Sequence, residues 1–333
     1  MNARHRSALD GFTLEAVQRV GSVLAALLAL CVATACAPGG TTTSESKERA
    51  RSEPVAKSAL PLAGVDGART IGSADTVVNQ YTPLAGDVTA GATSLTVTDV
   101  AALDPGSDPL APGDLLLVIQ MQGATLDTAA ADATWGQVSD LGSAGLYELV
   151  EVTAVDAGSD TVSLSCALAN DYVASGNVQV VRVPQYTDLT IEAGASLTAP
   201  AWDGSTGGIV AVHAENTVTL DGSIDVSALG FRGGPADNFS ASADDDTTLY
   251  AGPGPASGGR KGEGIGGFLS SYGRGAAANG GGGGNAHNAG GGGGANGRNG
   301  LLWTGQGVFD LSVVGGASAW LLDPSYSATA SAG

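Results

Sequence analysis

Short acidic turns carry the residues of this sequence that have the right chemistry to bind a metal ion. Asp104 and Asp108 have the same spacing as Asp156 and Asp160, and 244–246 is a run of three aspartates. Calcium prefers such oxygen ligands. Aspartate and glycine also favour β-turns for backbone reasons, and neither spaced pair has the Glu that completes an EF-hand loop. The sequence therefore predicts no cofactor, with calcium as the one ion these residues would suit.

The remaining reactive residue types form no catalytic motif. His5, His213 and His287 are not spaced as His-x-x-x-His, and the sequence has neither Cys-x-x-Cys nor G-x-S-x-G. The segment 262–267 (GEGIGG) fits G-x-G-x-x-G, but no strand precedes it and no helix-forming stretch follows. We expect no catalytic residues, no metal site and no bound organic cofactor, so the chain is predicted not to be an enzyme.

Cys36 is the one residue predicted to carry a modification. Three arginines within the first 19 residues precede an apolar run, 20–33, which is shorter than the ~20 residues of a membrane-spanning helix. The run ends in ATAC, which is an A-x-A cleavage site and also resembles a bacterial lipobox. Residues 1–35 are therefore predicted to be a signal peptide and Cys36 a lipidated N-terminus. A soluble secreted protein and a retained N-terminal anchor are the alternatives.

The next segment, 36–75, is predicted to be a flexible tether, because it is polar and small and has no apolar periodicity. With a lipid on Cys36, it would hold a domain at the outer membrane or cell surface. With Cys31 removed alongside the signal peptide and Cys36 lipidated, Cys166 has no second cysteine with which to form a disulfide, and the exported chain is predicted to lack a disulfide framework. The net charge of −19 argues against a nucleic-acid partner, which would need a basic patch.

Residues 76–186 are predicted to form a β-domain. Leu95 and Val97 alternate with polar residues, as do Val162 and Leu164, which is the period of half-buried strands. The continuous apolar run 115–119 (LLLVI) predicts a strand that is buried on both faces. The best helix candidate is the short segment 125–133.

Residues 187–230 are predicted to form the coils of a parallel β-helix. Short strands recur there, each with one inward-facing apolar pair, and small turn-forming residues lie between them. The hairpins of a β-sandwich are the alternative. The predicted inward pairs are Leu189 and Ile191, Val218 and Leu220, and Ile224 and Val226.

The segment 231–300 is glycine-rich and contains two runs of five glycines, 280–284 and 290–294. Such a segment is either a flexible linker or a set of closely packed extended strands, in which asparagines ladder and missing Cβ atoms let backbones approach. The end, 301–333, regains a strand pattern with Phe309, Leu311 and Val313. Because nothing there caps a hydrophobic stack, we expect the protein to continue beyond residue 333.

Five stretches resemble large glycine-rich surface proteins of myxobacteria, some of them labelled adventurous gliding motility proteins. They are 179–191, 198–208, 222–234, 273–297 and 303–308. The resemblance implies export, a cell-surface location and a β-rich stalk with a structural or adhesive role, and its label links that role to gliding.

The alternative function is that of a β-helical protein that binds or degrades polysaccharide. A degrading enzyme needs clustered acidic and basic side chains, and only 14 residues are Lys or Arg. A binding module would stack sugars on Trp135, Trp202 or Trp303. The expected partners are therefore the membrane, through the lipid, and a surface polysaccharide or another surface protein.

Overall fold

The computed structural model describes most of the chain between Asp66 and Gly283. The described residues are 66–106, 108–129, 135–235, 250–252, 254, 259–267, 272–273 and 275–283. The predicted signal peptide, Cys36, the tether up to residue 65, the acidic run 244–246, the second glycine run and the end 301–333 lie outside them.

The described part of the chain is all-β, with two short 3₁₀ helices at Val100–Leu103 and Ala174–Gly176. Its strands are β1 (Arg69–Ile71), β2 (Thr76–Val77), β3 (Gln80–Pro83), β4 (Ser94–Thr96), β5 (Leu115–Gln120), β6 (Thr125–Asp127), β7 (Gln137–Asp140), β8 (Tyr147–Asp156), β9 (Thr161–Leu164), β10 (Val178–Val183), β11 (Gln185–Ile191), β12 (Ser196–Thr198), β13 (His213–Leu220) and β14 (Ser223–Ile224).

Six of these strands form a short parallel β-helix. One sheet has the order β1-β11-β13 and the other β2-β12-β14, and the paired strands in both are parallel. Coil 1 is therefore β1 and β2, coil 2 is β11 and β12, and coil 3 is β13 and β14. The prediction of an all-β chain with β-helix coils is confirmed.

The interior of the coils is apolar and closely packed. Ile71 of coil 1 lies in register with Ile191 of coil 2, and both side chains are buried. Leu189 and Leu197 complete the buried column of coil 2. The alternation of β11 places Leu189 and Ile191 on one face, because successive side chains of a strand point to opposite sides.

The other large element is a six-stranded antiparallel sheet with the order β3-β10-β5-β8-β9-β4. It closes on itself, because the amide of Ala85 donates to the carbonyl of Thr96 (2.9 Å) and the amide of Thr98 to that of Pro83 (2.9 Å). Leu116 of β5 points into the resulting barrel. Neighbouring Leu117 packs on the coil side, so the predicted burial of this strand on both faces is confirmed.

The barrel is an insertion in the β-helix rather than a domain that precedes it. Strand β3 follows coil 1 closely, and β10 ends one residue before β11 opens coil 2. The chain order of barrel and coils differs from the sequence prediction, in which the β-domain began at residue 76 and the coils followed it at residue 187. Arg69–Ile71, predicted as tether, is a strand of coil 1. This strand is hard to predict because only Ile71 of its three residues is buried.

Two further predictions were wrong in part. Val218 and Leu220 lie in register with Leu189 and Ile191, but they are not the buried pair that the sequence predicted, because their side chains are 40% and 49% exposed. Coil 3 is the last coil among the described residues, so none of them covers these two side chains. The segment 125–133, which was the best candidate for a short helical turn, begins instead with strand β6. The alternations at Leu95 and at Val162 are confirmed, because both side chains are buried.

Candidate functional site

A cleft of about 270 Å³ lies where the barrel meets coil 1. Its walls come from coil 1, from the turn after the first 3₁₀ helix and from the β10–β11 junction. The lining residues are Asp66, Arg69, Val77, Val78, Gln80, Pro105, Asp108, Arg182, Pro184 and Tyr186. The insertion of the barrel brings these distant segments together, and this could not be seen in the sequence.

Arg182 of β10 is the buried cation of the cleft, 6% exposed. Its Nη2 lies 2.8 Å from Asp108 Oδ2 and 3.0 Å from Asp114 Oδ2, and its Nη1 donates to the carbonyl of Asp108 (2.6 Å). Burial raises the pKa of Asp114, although the nearby Arg182 opposes that shift. A guanidinium that holds two carboxylates in this way fixes the turn carrying Asp108 against the barrel.

The rim of the cleft presents exposed groups of both charges. Asp66 is exposed, and its Oδ2 accepts a hydrogen bond from the amide of Gln185 (2.6 Å). Arg69, at the start of β1, is also exposed, and the side chain of Asp108 is 61% exposed. Val77, 44% exposed, adds an apolar wall.

This arrangement suits recognition of a hydroxyl-rich ligand. Carboxylates accept hydrogen bonds, the guanidinium of Arg69 and the amide of Gln80 donate them, and Val77 and Pro105 offer apolar contact. Glycoside cleavage needs one carboxylic acid that gives up a proton and a second carboxylate across the bond. Asp66 and Asp108 both accept hydrogen bonds from donors of this chain.

A second cluster lies in the glycine-rich segment, where Lys261 and Glu263 are both buried. Lys261 Nζ donates to the carbonyls of Tyr250 (2.6 Å), Gly273 (2.9 Å) and Gly275, and it lies 4.1 Å from the centre of the Trp135 ring. Burial lowers the pKa of Lys261 to about 7. The role of Lys261 could not be predicted from the sequence, because a lysine among glycines has no local signal of burial.

Glu263 joins three parts of the fold. Its carboxylate accepts hydrogen bonds from Gln122 of the barrel (3.0 Å), from the indole of Trp202 (2.9 Å) and from the Nε of Arg232 (3.0 Å). Burial alone would raise the pKa of Glu263, but these hydrogen bonds hold it below the usual value. We interpret this cluster as structural, because its polar atoms are turned towards the protein.

Trp135 and Trp202 do not form the stacking platforms that the sequence suggested for them. Trp135 and Trp202 are each 3% exposed, so neither presents a ring face to solvent. Trp202 packs edge-on against Phe231, with ring centres 5.8 Å apart. Trp303 lies outside the described residues.

In the two described acidic turns, the aspartate side chains accept hydrogen bonds from backbone amides. Asp104 accepts a hydrogen bond from the amide of Leu110 (2.6 Å), and Asp160 accepts one from that of Val100 (2.9 Å). Asp156 accepts from Gly158 and Ser159, whose hydrogen bonds lower its pKa. Within the described ranges, no group of three or more His, Cys, Asp or Glu side chains is placed to hold a metal ion.

The first glycine run is partly ordered and packed. The amide of Gly262 donates to the carbonyl of Gly281 (2.8 Å), and that of Gly283 donates to the carbonyl of Gly273 (2.9 Å). A Cβ on Gly280 would lie 2.8 Å from the carbonyl oxygen of Gly262. For residues 280–283, this favours close packing over a linker, and the packing partners belong to this chain.

In the part of the chain that the structure describes, no helix is long and apolar enough to cross a membrane. No family model matches the chain, and no curated protein matches it. The solved structures that are similar to it over part of its length include three tailspikes. They are the tailspike gp61 of Pseudomonas phage phi297, the tailspike Gp54 of Acinetobacter baumannii bacteriophage AP22 in complex with A. baumannii capsular saccharide, and the tailspike protein gp49 of Pseudomonas phage LKA1.

The sequence identities to these tailspikes are 16%, 16% and 13%, and the TM-scores are 0.22, 0.21 and 0.22, in that order. The matches cover 48%, 40% and 42% of this chain, but only 22%, 29% and 28% of the tailspike chains. The chain therefore spans less than a third of each tailspike, and similarity of this extent says nothing about activity.

Proposed function

We propose that this chain is a polysaccharide-binding protein of the cell surface, and that the cleft between the barrel and coil 1 holds the sugar. The observation that carries the proposal is the rim of the cleft. There, exposed carboxylates and an exposed guanidinium lie beside the apolar side chains of Val77 and Pro105. Sugars need this combination, because their hydroxyls both donate and accept while their ring faces are apolar.

The size of the cleft favours a short stretch of a longer chain as the ligand. Its volume of about 270 Å³ lies just below the ~300–1,000 Å³ of enclosed small-molecule sites. The rim carries exposed Asp66 and Asp108 but also Arg69. A neutral polysaccharide, or one with widely spaced carboxylates that pair with Arg69, therefore fits better than a densely acidic one.

The location rests on the N-terminal sequence, which lies outside the described residues. The A-x-A-Cys end of the apolar run supports export and a lipid on Cys36. Lipid anchoring and polysaccharide binding together give an adhesive role at the outer surface, and a part in gliding stays a prediction. Mass spectrometry of the mature N-terminus tests the anchor. An unmodified Cys36 on a soluble secreted protein would contradict it.

A polysaccharide panel tests the binding function directly. The mature chain is incubated with neutral and acidic bacterial polysaccharides, including capsular saccharides, and both retention and new reducing ends are measured. We expect retention of at least one polysaccharide without cleavage. New reducing ends that depend on Asp66 or Asp108 would show an enzyme instead, and no retention at all would contradict the proposed function.

A further inference from the structure

The outer side of coil 3 is an open apolar face. Val218 and Leu220 are 40% and 49% exposed, whereas their register partners in coil 2, Leu189 and Ile191, are buried. Strand β13 is the edge strand of its sheet, and β14 is the edge strand of the other. Among the described residues, neither strand has a hydrogen-bonded partner strand on this side, which makes the face a template for another strand.

A segment near the end of the chain repeats the sequence of coil 2. Residues 188–197 read DLTIEAGASL, and residues 310–319 read DLSVVGGASA. Five of the ten positions are identical, and Ile and Thr are replaced by the similar Val and Ser. The shared glycine is informative, because Gly194 has a φ of 85° at the corner of coil 2 and Gly316 stands at the same position of the repeat.

We propose that residues 310–319 form the next coil of the β-helix and dock on β13 and β14. The register of coils 2 and 3 then places Leu311 on Val218 and Val313 on Leu220. In the second sheet, Ala319 lies over Ile224, as Leu197 does from the other side. The docking buries the open apolar face and pairs both strand edges.

The outward-facing positions continue in the same way. Thr70, Thr190 and Thr219 form a column of hydroxyl side chains across coils 1 to 3, and Ser312 is the residue that extends it. Neighbouring Thr and Ser side chains on parallel strands stabilise a sheet. The connection is long enough, because the 26 residues between Gly283 and Asp310 span up to about 90 Å when extended.

Disulfide trapping in the full mature chain tests the register. Cys36 and Cys166 are replaced by serine, and Thr219→Cys is combined with Ser312→Cys. Residues that are directly opposed on neighbouring strands lie within the distance that a disulfide spans. We expect a reducible crosslink within one chain that forms almost completely. The control pair, Thr219→Cys with Ser318→Cys, places the second thiol in the other sheet and should crosslink at least tenfold less.

Each other outcome overturns the proposal. A folded double-cysteine chain that forms no crosslink shows that the segment docks elsewhere. A crosslink that joins two chains and rises with protein concentration shows that a second copy covers the face. Hydrogen exchange on the unsubstituted chain gives a readout that no variant can confound. The outward-edge amides of β13 should exchange at least 100-fold more slowly than free amides, and fast exchange there contradicts docking.

Discussion

The indole N–H of Trp202 donates a hydrogen bond of 2.9 Å to the carboxylate of Glu263, and both side chains are buried. Trp202 follows coil 2, whereas Glu263 lies in the glycine-rich segment. This contact, together with the hydrogen bond from Gln122, attaches the glycine-rich segment to the β-helix and to the barrel at once. The segment 259–267 is therefore part of the folded unit.

Replacing Glu263 should destabilise the fold. Glu263→Gln keeps the shape of the side chain but turns one acceptor into a donor and removes the ion pair with Arg232. Hydrogen bonds to a charged group each contribute about 1.5–3 kcal/mol, and we expect a loss in that range because Arg232 is half-exposed. Urea unfolding measures this loss in the free energy of unfolding. Glu215→Gln, at an exposed position of β13, is the control and should change stability little.

The same carboxylate should make the protein sensitive to acid. Hydrogen bonds in the folded state hold the pKa of Glu263 below its usual value of 4.5. Its contribution to stability is therefore fully present above that value and is lost as the pH falls through the lower, folded-state pKa. Melting temperatures measured between pH 6 and pH 3 should fall more steeply for the unsubstituted chain than for Glu263→Gln. Parallel curves would show that Glu263 contributes no such stability.

Lys261 should give a pH dependence of the same sign on the alkaline side. Burial lowers its pKa to about 7, whereas in the unfolded chain it titrates near 10.5. The unfolded chain therefore binds more protons between these values, so the free energy of unfolding should rise with pH across that window. Below pH 7 the full penalty of burying a charged amine remains. Lys261→Met should flatten the rise, and an unchanged slope in that variant would show that Lys261 does not titrate in this window.

The packed glycines should not tolerate a methyl group. Gly280→Ala places a Cβ 2.8 Å from the carbonyl oxygen of Gly262, which must then move. Overpacking of this kind costs about 1–3 kcal/mol. Gly86→Ala is the matched control, since nothing lies within 4 Å of its added Cβ. Equal melting temperatures for the two variants would mean that residues 280–283 act as a spacer after all.

The sequence predicted those parts of the fold that have a local period. Leu95 and Val97 alternate with polar residues, and Leu189 and Ile191 mark the inward face of coil 2, so strands and coils could both be recognised. The insertion of the barrel could not be recognised from the sequence, because Ile71 is almost the only apolar residue that marks coil 1. Val218 was predicted to be buried but is 40% exposed, because coil 3 is the last coil among the described residues.

The candidate site could not be predicted from the sequence either, because its residues are far apart along the chain. Arg182 lies within an apolar strand, and nothing local shows that it meets Asp108, which is 74 positions away. Lys261 and Glu263 lie in a stretch that resembles a charged linker. Only in the folded chain does Lys261 contact the ring of Trp135 and Glu263 accept a hydrogen bond from Trp202. Such contacts are set by tertiary packing, which leaves no periodic trace in the sequence.

Titration of the cleft with the polysaccharide that the panel identifies tests the central claim most directly. Arg69→Gln removes an exposed donor at the rim, and the removal should weaken binding about tenfold, which corresponds to ~1.4 kcal/mol. Asp221→Asn, at an exposed corner of coil 3 away from the cleft, should bind like the unsubstituted chain. Calorimetry on the three proteins gives the dissociation constants. Three equal constants would contradict the assignment of the cleft as the binding site.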